Sequence, residues 1–242
     1  MTHLVYLPGI AGHPARSPAM AIVEDAGWEI VVPELPGFDG RSGFRPPDDH
    51  LGWLVAAWDA LDATSALPCP VVGASVGGML AADLAVFRPE VVTALALLAP
   101  FGSFDEGSPG LDVFAVPATE RMSHLFAKGV PEPFVERFAH LGADEGPVAR
   151  YLSDVAAASL LWPLGDRGQA RRLHRLRCPA MALWGDQDEL LPVPTSEAWV
   201  AGGVPVEVIA GAGHLLEWDA PDEVGSRLVG FLDQGGLDGS RR

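Results

Sequence analysis

Residues 71–80 read Val-Val-Gly-Ala-Ser-Val-Gly-Gly-Met-Leu. An apolar strand runs directly into the pattern Gly-x-Ser-x-Gly, and helix-forming residues follow it. This order predicts a nucleophile elbow, a sharp turn from a strand into a helix that carries the hydroxyl group of Ser75. The glycines at 73, 77 and 78 fit such a turn, because the backbone of the serine is strained and the strand and helix approach each other closely.

The five-residue pattern has low specificity when it stands alone. With 28 glycines and 12 serines in 242 residues, chance gives roughly 0.16 matches. An ordinary glycine-rich turn between a strand and a helix is therefore an open alternative at this point. The choice between a nucleophile elbow and an ordinary turn depends on residues elsewhere in the chain.

Composition limits the class of protein. A length of 242 residues, 48% hydrophobic and 20% charged, predicts one large globular domain, or one domain with an insertion. The net charge of −16 argues against a nucleic acid or an anionic membrane as the partner, because both require a basic face. We expect a small-molecule substrate. The protein is further expected to be a monomer or homodimer.

The cysteines and the apolar runs bear on the compartment. Cys69 and Cys178 each precede a proline and an apolar run, which favours buried thiols over a disulfide or a metal site. The run near 91–100 is too short to span a bilayer, and no basic region precedes the first strand. A cytoplasmic protein is predicted.

Strands and helices alternate at both ends of the chain but not in its middle. The strands are apolar throughout, which is typical of a parallel sheet covered on both faces. Predicted strands lie at 3–7, 28–32, 70–74, 91–98, 180–184 and 204–209. The predicted sheet domain comprises residues 1–100 and 177–234, and a final helix is predicted over about 221–232.

The middle of the chain is predicted to be a helical cap, residues 101–176. It contains no convincing strand, and helices are predicted at 120–128, 133–141 and 148–161. Its phenylalanines are expected to lie mostly in the core, with one or two lining an apolar pocket; they are Phe104, Phe114, Phe126, Phe134 and Phe138. Residues 235–242 are polar and glycine-rich and are predicted to form a disordered tail.

A serine nucleophile needs a base, and the base needs an orienting acid. In a parallel sheet such groups gather in loops at the carboxyl ends of the strands. Asp186 and Asp188 follow the strand that ends at 184, and His214 follows the strand that ends at 209. The order serine, aspartate, histidine is that of one hydrolase architecture. Either aspartate fits this order.

Four segments in this order resemble the α/β-hydrolase fold superfamily, in its capped serine esterase and carbon–carbon-bond hydrolase branch. They are residues 7–12 (Leu-Pro-Gly-Ile-Ala-Gly), 33–42, 73–78, and 184–188 together with 213–214. The resemblance implies an α/β-hydrolase fold, with a mostly parallel sheet flanked by helices and a helical cap. The family usually begins with an antiparallel hairpin, so an N-terminally trimmed sheet is expected here.

The resemblance also implies roles for individual residues. Ser75 is the nucleophile, His214 the base and Asp188 the acid, at the fourth position of Gly-x-x-Asp, with Asp186 as the rival. The backbone N–H groups of Ile10 and Val76 are implied as the oxyanion hole. No cofactor or metal is implied. Relatives usually have His-Gly where this chain has Pro8-Gly9, so a side chain that often steadies the oxyanion loop is missing.

The predicted function is a serine hydrolase that cleaves a carboxylic ester of a small, largely apolar substrate. The alternatives are a carbon–carbon-bond hydrolase of ring-cleavage diketones, an acyl transferase, and a ligand-binding or signalling protein on the same fold. A serine in the elbow argues against the dehalogenase and epoxide hydrolase relatives, which have aspartate there. The remaining histidines are expected at the surface or in the cap, with His13 as a possible substrate contact: His3, His13, His50, His124, His140 and His174.

Overall fold

A computed structural model of the chain describes residues 2–10, 17–38, 45–64, 66–136 and 141–238. Its centre is a six-stranded sheet with the order β2-β1-β3-β4-β5-β6. The strands are β1 (Thr2–Leu7), β2 (Trp28–Val31), β3 (Cys69–Ala74), β4 (Val92–Leu98), β5 (Ala180–Gly185) and β6 (Val206–Ile209). Every neighbouring pair is parallel, so the prediction of a mostly parallel α/β sheet is confirmed.

Helices cover both faces of this sheet. They are α1 (Pro18–Asp25), α2 (His50–Ala63), α3 (Ser75–Phe87), α4 (Ala118–Arg121), α5 (Glu132–Val135), α6 (Gly142–Leu161), α7 (Glu197–Ala201), α8 (Leu216–Asp219) and α9 (Pro221–Asp238). Shorter 3-10 helices lie at Met122–Leu125, Leu173–Arg175 and Val193–Ser196. The side chain of Asp49 caps α2 by accepting a hydrogen bond from Gly52 N at 2.7 Å.

The hydrophobic core has one layer on each side of the sheet. One layer contains apolar residues of α2, α3 and the cap, and the other contains those of α1, α8 and α9. All six residues of β3 are buried, as are twelve of the thirteen residues of α3. A central strand buried on both faces explains why its sequence is apolar without alternation.

The strand order indicates where in the sheet the predicted site lies. The chain runs from β1 outward to β2 and then returns to β3 on the other side of β1. In such sheets, ligands bind at the carboxyl ends of the strands where the order reverses. Leu7, the last residue of β1, lies in register with Gly73, so residues 8–10 follow β1 beside the elbow.

The middle of the chain is helical, as predicted, and its described residues contain no strand between β4 and β5. The helix predicted over 120–128 is wrong in its last three residues, because helical structure ends at Leu125. Leu125 O accepts from Leu215 N and Ala127 N donates to the carboxylate of Asp219, so this segment bonds to the loop around His214 instead. The helix predicted over 133–141 is α5, which ends at Val135; Phe138 and His140 lie outside the described residues.

The buried carboxylate of Asp83 on α3 binds residues 169–172, near the C-terminal end of the cap. Asp83 is 1% exposed and accepts from Nε and Nη2 of Arg172 at 3.2 and 2.9 Å. Gln169 Nε2 donates to its other oxygen at 3.0 Å, and His50 Nε2 lies 2.6 Å from the same oxygen. Full pairing of this kind is what makes a buried charge tolerable. The sequence analysis did not identify this cluster, whose members are up to 122 positions apart.

The final helix is longer than predicted. α9 continues to Asp238, so residues 235–238 of the predicted disordered tail are helical, and residues 239–242 lie outside the described part of the chain. The core face of α9 buries Val224, Leu228 and Leu232. A Cβ atom on Gly235 would lie 3.3 Å from Ala94 Cβ, so contact with β4 still supports the helix past Leu232.

Replacing Gly77 by alanine is expected to lower the free energy of unfolding by about 3 kcal/mol or more. A Cβ atom at this position would lie 2.2 Å from Leu7 O and 2.5 Å from Pro8 O, which are backbone atoms with little freedom to move. Chemical denaturation measures the effect. The matched control is Gly230→Ala in α9, where a Cβ atom would meet nothing within 4 Å apart from the neighbouring backbone of its own helix, and a gain of about 0.5–1 kcal/mol is expected. Equal stabilities of the two variants would contradict this interpretation.

Candidate active site

Ser75 occupies a strained turn between β3 and α3. Its φ angle is +54°, a left-handed conformation that residues other than glycine rarely adopt, and its side chain is fully buried. Gly73 permits the turn, because a Cβ atom there would lie 2.6 Å from Gly77 O. On the far side, a Cβ atom on Gly78 would lie 2.9 Å from that of Pro100. The geometry is that of a nucleophile elbow.

His214 lies between Ser75 and Asp188. Its Nε2 atom is 2.8 Å from Ser75 Oγ, and its Nδ1 atom is 2.9 Å from Asp188 Oδ2. Because an ionised carboxylate only accepts hydrogen bonds, this contact assigns the proton to Nδ1 and leaves Nε2 to accept from the serine hydroxyl. Asp188 is itself held in place, since Oδ1 accepts from Leu190 N and Leu191 N, both at 2.9 Å.

Asp186 has a different environment from Asp188. Its Oδ1 atom accepts a hydrogen bond from Gly211 N at 2.7 Å and so joins the loop after β5 to the loop after β6. Its side chain is exposed, whereas that of Asp188 is buried beside the imidazole. The structure brings Asp188, the acid that the resemblance implied, to His214, and it does not bring the rival Asp186 there.

The two backbone groups predicted to form the oxyanion hole belong to segments that meet at Ser75. Val76 follows it on α3, and a Cβ atom on Gly9 would lie 3.2 Å from Ser75 Cβ. Ile10, the next residue, is buried. The remainder of the predicted loop, including His13, lies outside the described residues.

Phe101 is a site residue that the sequence analysis missed. Its ring packs edge-on against the imidazole of His214, with the ring centroids 5.3 Å apart, and its N–H donates to Ser75 O at 3.1 Å. A signal for it existed, because Phe101 lies three residues after the end of β4, at the edge of the sheet where the functional loops gather.

Asp219 is a second residue that was missed, and it fixes the loop that carries His214. Its Oδ2 atom accepts from Gly213 N and from Ala127 N of the cap, both at 2.8 Å. In the same segment of the cap, His124 Nδ1 lies 2.6 Å from the carboxylate of Glu189. Nothing in the sequence indicated these partners, which join the cap to the loops after β5 and β6.

Other described histidines have partners away from Ser75. His3 is 3.3 Å from Glu29, His50 binds Asp83, and His174 Nδ1 is 2.9 Å from Arg171 O. Among the residues placed by the structure, no three His, Cys, Asp or Glu side chains are grouped as metal ligands. Within the same ranges, none of the helices has the length and apolar character needed to cross a membrane.

The fold agrees with a family comparison. A model of the Alpha/beta hydrolase family matches residues 4–227. The chain belongs to this family. The predicted superfamily is therefore confirmed.

Individual relatives within the family are distant. The chain is 29% identical over 225 residues to the dihydrolipoyllysine-residue acetyltransferase component of the acetoin cleaving system of Cupriavidus necator, covering 85% of this chain but only 56% of that protein. It is 28% identical over 178 residues to the pimeloyl-[acyl-carrier protein] methyl ester esterase of Neisseria meningitidis serogroup C, covering 69% and 68%.

A solved structure supports the fold. The 2-hydroxy-6-oxo-6-phenylhexa-2,4-dienoate hydrolase of Rhodococcus sp. strain RHA1 is similar to this chain with a TM-score of 0.72 and 21% identity, covering 95% of this chain and 90% of that structure. At this identity the similarity concerns the fold alone.

Proposed function

We propose that this protein is a serine hydrolase that cleaves a carboxylic ester of a small, largely apolar substrate. Ser75 Oγ attacks the ester carbonyl carbon while its proton passes to His214 Nε2. The N–H groups of Ile10 and Val76 stabilise the oxyanion, and the imidazolium returns the proton to the leaving alcohol as the carbon–oxygen bond breaks. Water then releases the acid from the acyl-enzyme by the same steps.

One observation carries this proposal: the unbroken contact chain from Ser75 through His214 to Asp188. Its distances of 2.8 and 2.9 Å are hydrogen-bond distances, and all three side chains are at least 95% buried. Away from bulk water, the attraction between imidazolium and aspartate is stronger than at a surface. A serine held at φ +54° is difficult to explain by packing alone.

The apolar substrate is inferred from the residues around the contact chain. Ile10, Val76 and Phe101 belong to the same buried cluster as the cap residues Val113 and Leu125. These side chains offer no charge to a ligand, so an alkyl or aryl acyl group fits better than a polar one. The similarity to a methyl ester esterase supports an ester as the bond that is cleaved.

Purified protein is expected to hydrolyse p-nitrophenyl esters, with an initial burst of p-nitrophenol equal to the enzyme concentration where deacylation is slow. A series of acyl chains from acetate to decanoate measures which length the cap admits. A fluorophosphonate probe followed by peptide mass spectrometry is expected to modify Ser75. Absence of both turnover and modification would contradict the proposal.

The same assays distinguish an ester hydrolase from the alternative functions. Cleavage of a ring-cleavage diketone at a higher kcat/KM than any ester would favour a carbon–carbon-bond hydrolase. Ester turnover that yields a new ester when an alcohol is added would indicate acyl transfer. Modification of Ser75 without turnover of any substrate would favour a ligand-binding protein. Size-exclusion chromatography tests the accompanying proposal of a monomer or homodimer.

A further inference from the structure

His214 is held on both sides through the backbone of its two neighbours in the chain. Gly213 N donates to Asp219 Oδ2 at 2.8 Å, and Leu215 N donates to Leu125 O of the cap at 3.0 Å. The loop itself has little stiffness, because positions 211 and 213 are both glycine. The place of the imidazole therefore depends on where these two acceptors lie.

The carboxylate of Asp219 is shared between this loop and the cap. The same Oδ2 atom accepts from Ala127 N, also at 2.8 Å, and the side chain is 9% exposed. Lys128 Nζ donates to the main-chain oxygen of Asp219 at 3.1 Å. Hydrogen bonds to a carboxylate are about twice as strong as neutral ones. One oxygen atom thus joins the residue before His214 to the backbone of the cap.

Residues 124–128, which we call the cap anchor, pack tightly on the loop of His214. A Cβ atom on Gly213 would lie 2.8 Å from Ala127 N, so glycine is needed for the two backbones to approach this closely. Phe126 of the cap anchor packs edge-on against Phe134, and Phe134 packs edge-on against Trp218 of α8. The centroid distances are 4.8 and 5.2 Å, which are typical of favourable aromatic pairs.

The cap also contacts the loop that carries the acid. Leu111 N donates to Glu189 O at 2.7 Å, and His124 Nδ1 lies 2.6 Å from the carboxylate of Glu189. Glu189 follows Asp188 directly in the chain. The cap is thus bonded to both loops at positions that adjoin Asp188 and His214.

We propose that Asp219 is a positioning residue of the hydrolase, which fixes His214 through the N–H group of Gly213 and makes its position depend on the cap anchor. The inference rests on the proposed function and gives the cap a role beyond covering the substrate. Asp219 exchanges no proton with the substrate and acts only through the backbone. Because a displacement of about 1 Å at a reacting group can cost about 100-fold in rate, loss of this support should appear in kcat.

Asp219→Ala removes both hydrogen bonds and is expected to lower kcat for a p-nitrophenyl ester by about 10- to 100-fold. KM should change by less than about threefold, because the apolar residues around the site are kept. The rate is expressed per Ser75 that a fluorophosphonate modifies at completion, so that unfolded protein is not counted. A rise in KM at unchanged kcat would mean that Asp219 only attaches the cap, and it would overturn the inference.

Asp219→Asn is the conservative variant. It keeps an oxygen atom that can accept from both N–H groups and loses only the charge. Its kcat is expected to lie within about threefold of that of the natural protein. A loss as large as that of Asp219→Ala would show that the charge matters rather than the hydrogen bonds to the backbone, contrary to the proposal.

Ala127→Pro tests the contribution of the cap anchor alone. Proline lacks the N–H group that donates to Asp219, whereas the hydrogen bond from Gly213 is kept. Phe126 already has φ −127° and ψ 139°, the extended conformation that suits a residue before proline. We expect kcat to fall by about 3- to 10-fold. An unchanged kcat would show that the position of His214 does not depend on the cap.

Asp49→Ala is the matched control for the loss of a carboxylate that binds backbone. Asp49 accepts from Gly52 N at 2.7 Å at the start of α2 and has no part in the proposed mechanism. Its substitution should lower the midpoint of thermal unfolding and leave kcat per modified Ser75 within about twofold. If it lowered kcat as much as Asp219→Ala does, general destabilisation would explain both losses.

Proton NMR separates this test from that of the proposed function, because it needs no turnover. The Nδ1 proton of His214 is buried in a 2.9 Å contact with Asp188 and should give a downfield resonance that exchanges slowly with water. The resonance is expected in the natural protein and in Asp219→Asn, and it should be broadened by exchange in Asp219→Ala. A natural protein that shows the resonance but cleaves no substrate would contradict the proposed function alone. An equally sharp resonance in Asp219→Ala would overturn the role of Asp219.

Discussion

Ser75→Ala is expected to lower kcat for a p-nitrophenyl ester by about 10⁴-fold or more. The variant lacks the only group that the proposed mechanism allows to form the acyl-enzyme. His214 and the oxyanion donors remain in this variant. We therefore expect a weak remaining activity, in which water attacks the bound ester directly. Burst kinetics and fluorophosphonate modification should both disappear.

Ser226→Ala is the matched control for this experiment. Ser226 is exposed on α9, on the opposite layer from the cap, and its substitution should leave kcat within about twofold. Substantial activity in Ser75→Ala, with the probe bound to a different residue, would mean that the elbow serves another purpose.

Asp188→Asn is expected to lower kcat by about 10⁴-fold with little change in KM. The asparagine amide can donate to Nδ1 of His214, which favours the tautomer with a proton on Nε2. That nitrogen lies 2.8 Å from Ser75 Oγ and could then no longer accept the proton of the serine. The pH dependence of kcat in the two proteins measures the loss of the base.

Asp186→Asn distinguishes the two acids of the same turn. It should retain most of the activity and lose only about 1 kcal/mol of stability, since Asp186 contributes one hydrogen bond, to Gly211 N. If Asp186→Asn were the more damaging change, His214 would have to adopt a different orientation during the reaction.

The three side chains of the contact chain differ in how far the sequence predicted them. The local pattern around Ser75 indicated an elbow, because a nucleophile elbow needs small residues at fixed positions, but the choice of Ser75 as the nucleophile also depended on the later loops that carry Asp188 and His214. His214 was identified by its place after the last strand. The order of the segments fits both Asp186 and Asp188, since both occupy one turn, and only the family resemblance favoured Asp188 as the acid.

The cap shows a second limit of prediction from sequence, which concerns the ends of helices. Residues 120–128 have the composition of one helix, yet the chain is helical only to Leu125. Leu125 O and Ala127 N bond to Leu215 and Asp219, about 90 positions away. Local propensity contributes less than 1 kcal/mol per residue, so two well-placed tertiary hydrogen bonds are enough to override it.

The sequence by itself determined the parallel sheet, the elbow at Ser75 and the order of the functional loops. These features depend on local composition, on apolar strands and on the rule that loops at the carboxyl ends of strands converge. Only the tertiary structure decided that Asp188 contacts His214 and that Phe101 packs on the imidazole. Such contacts depend on distances and on exclusion from water, which arise when distant segments pack together and leave no mark on the local sequence.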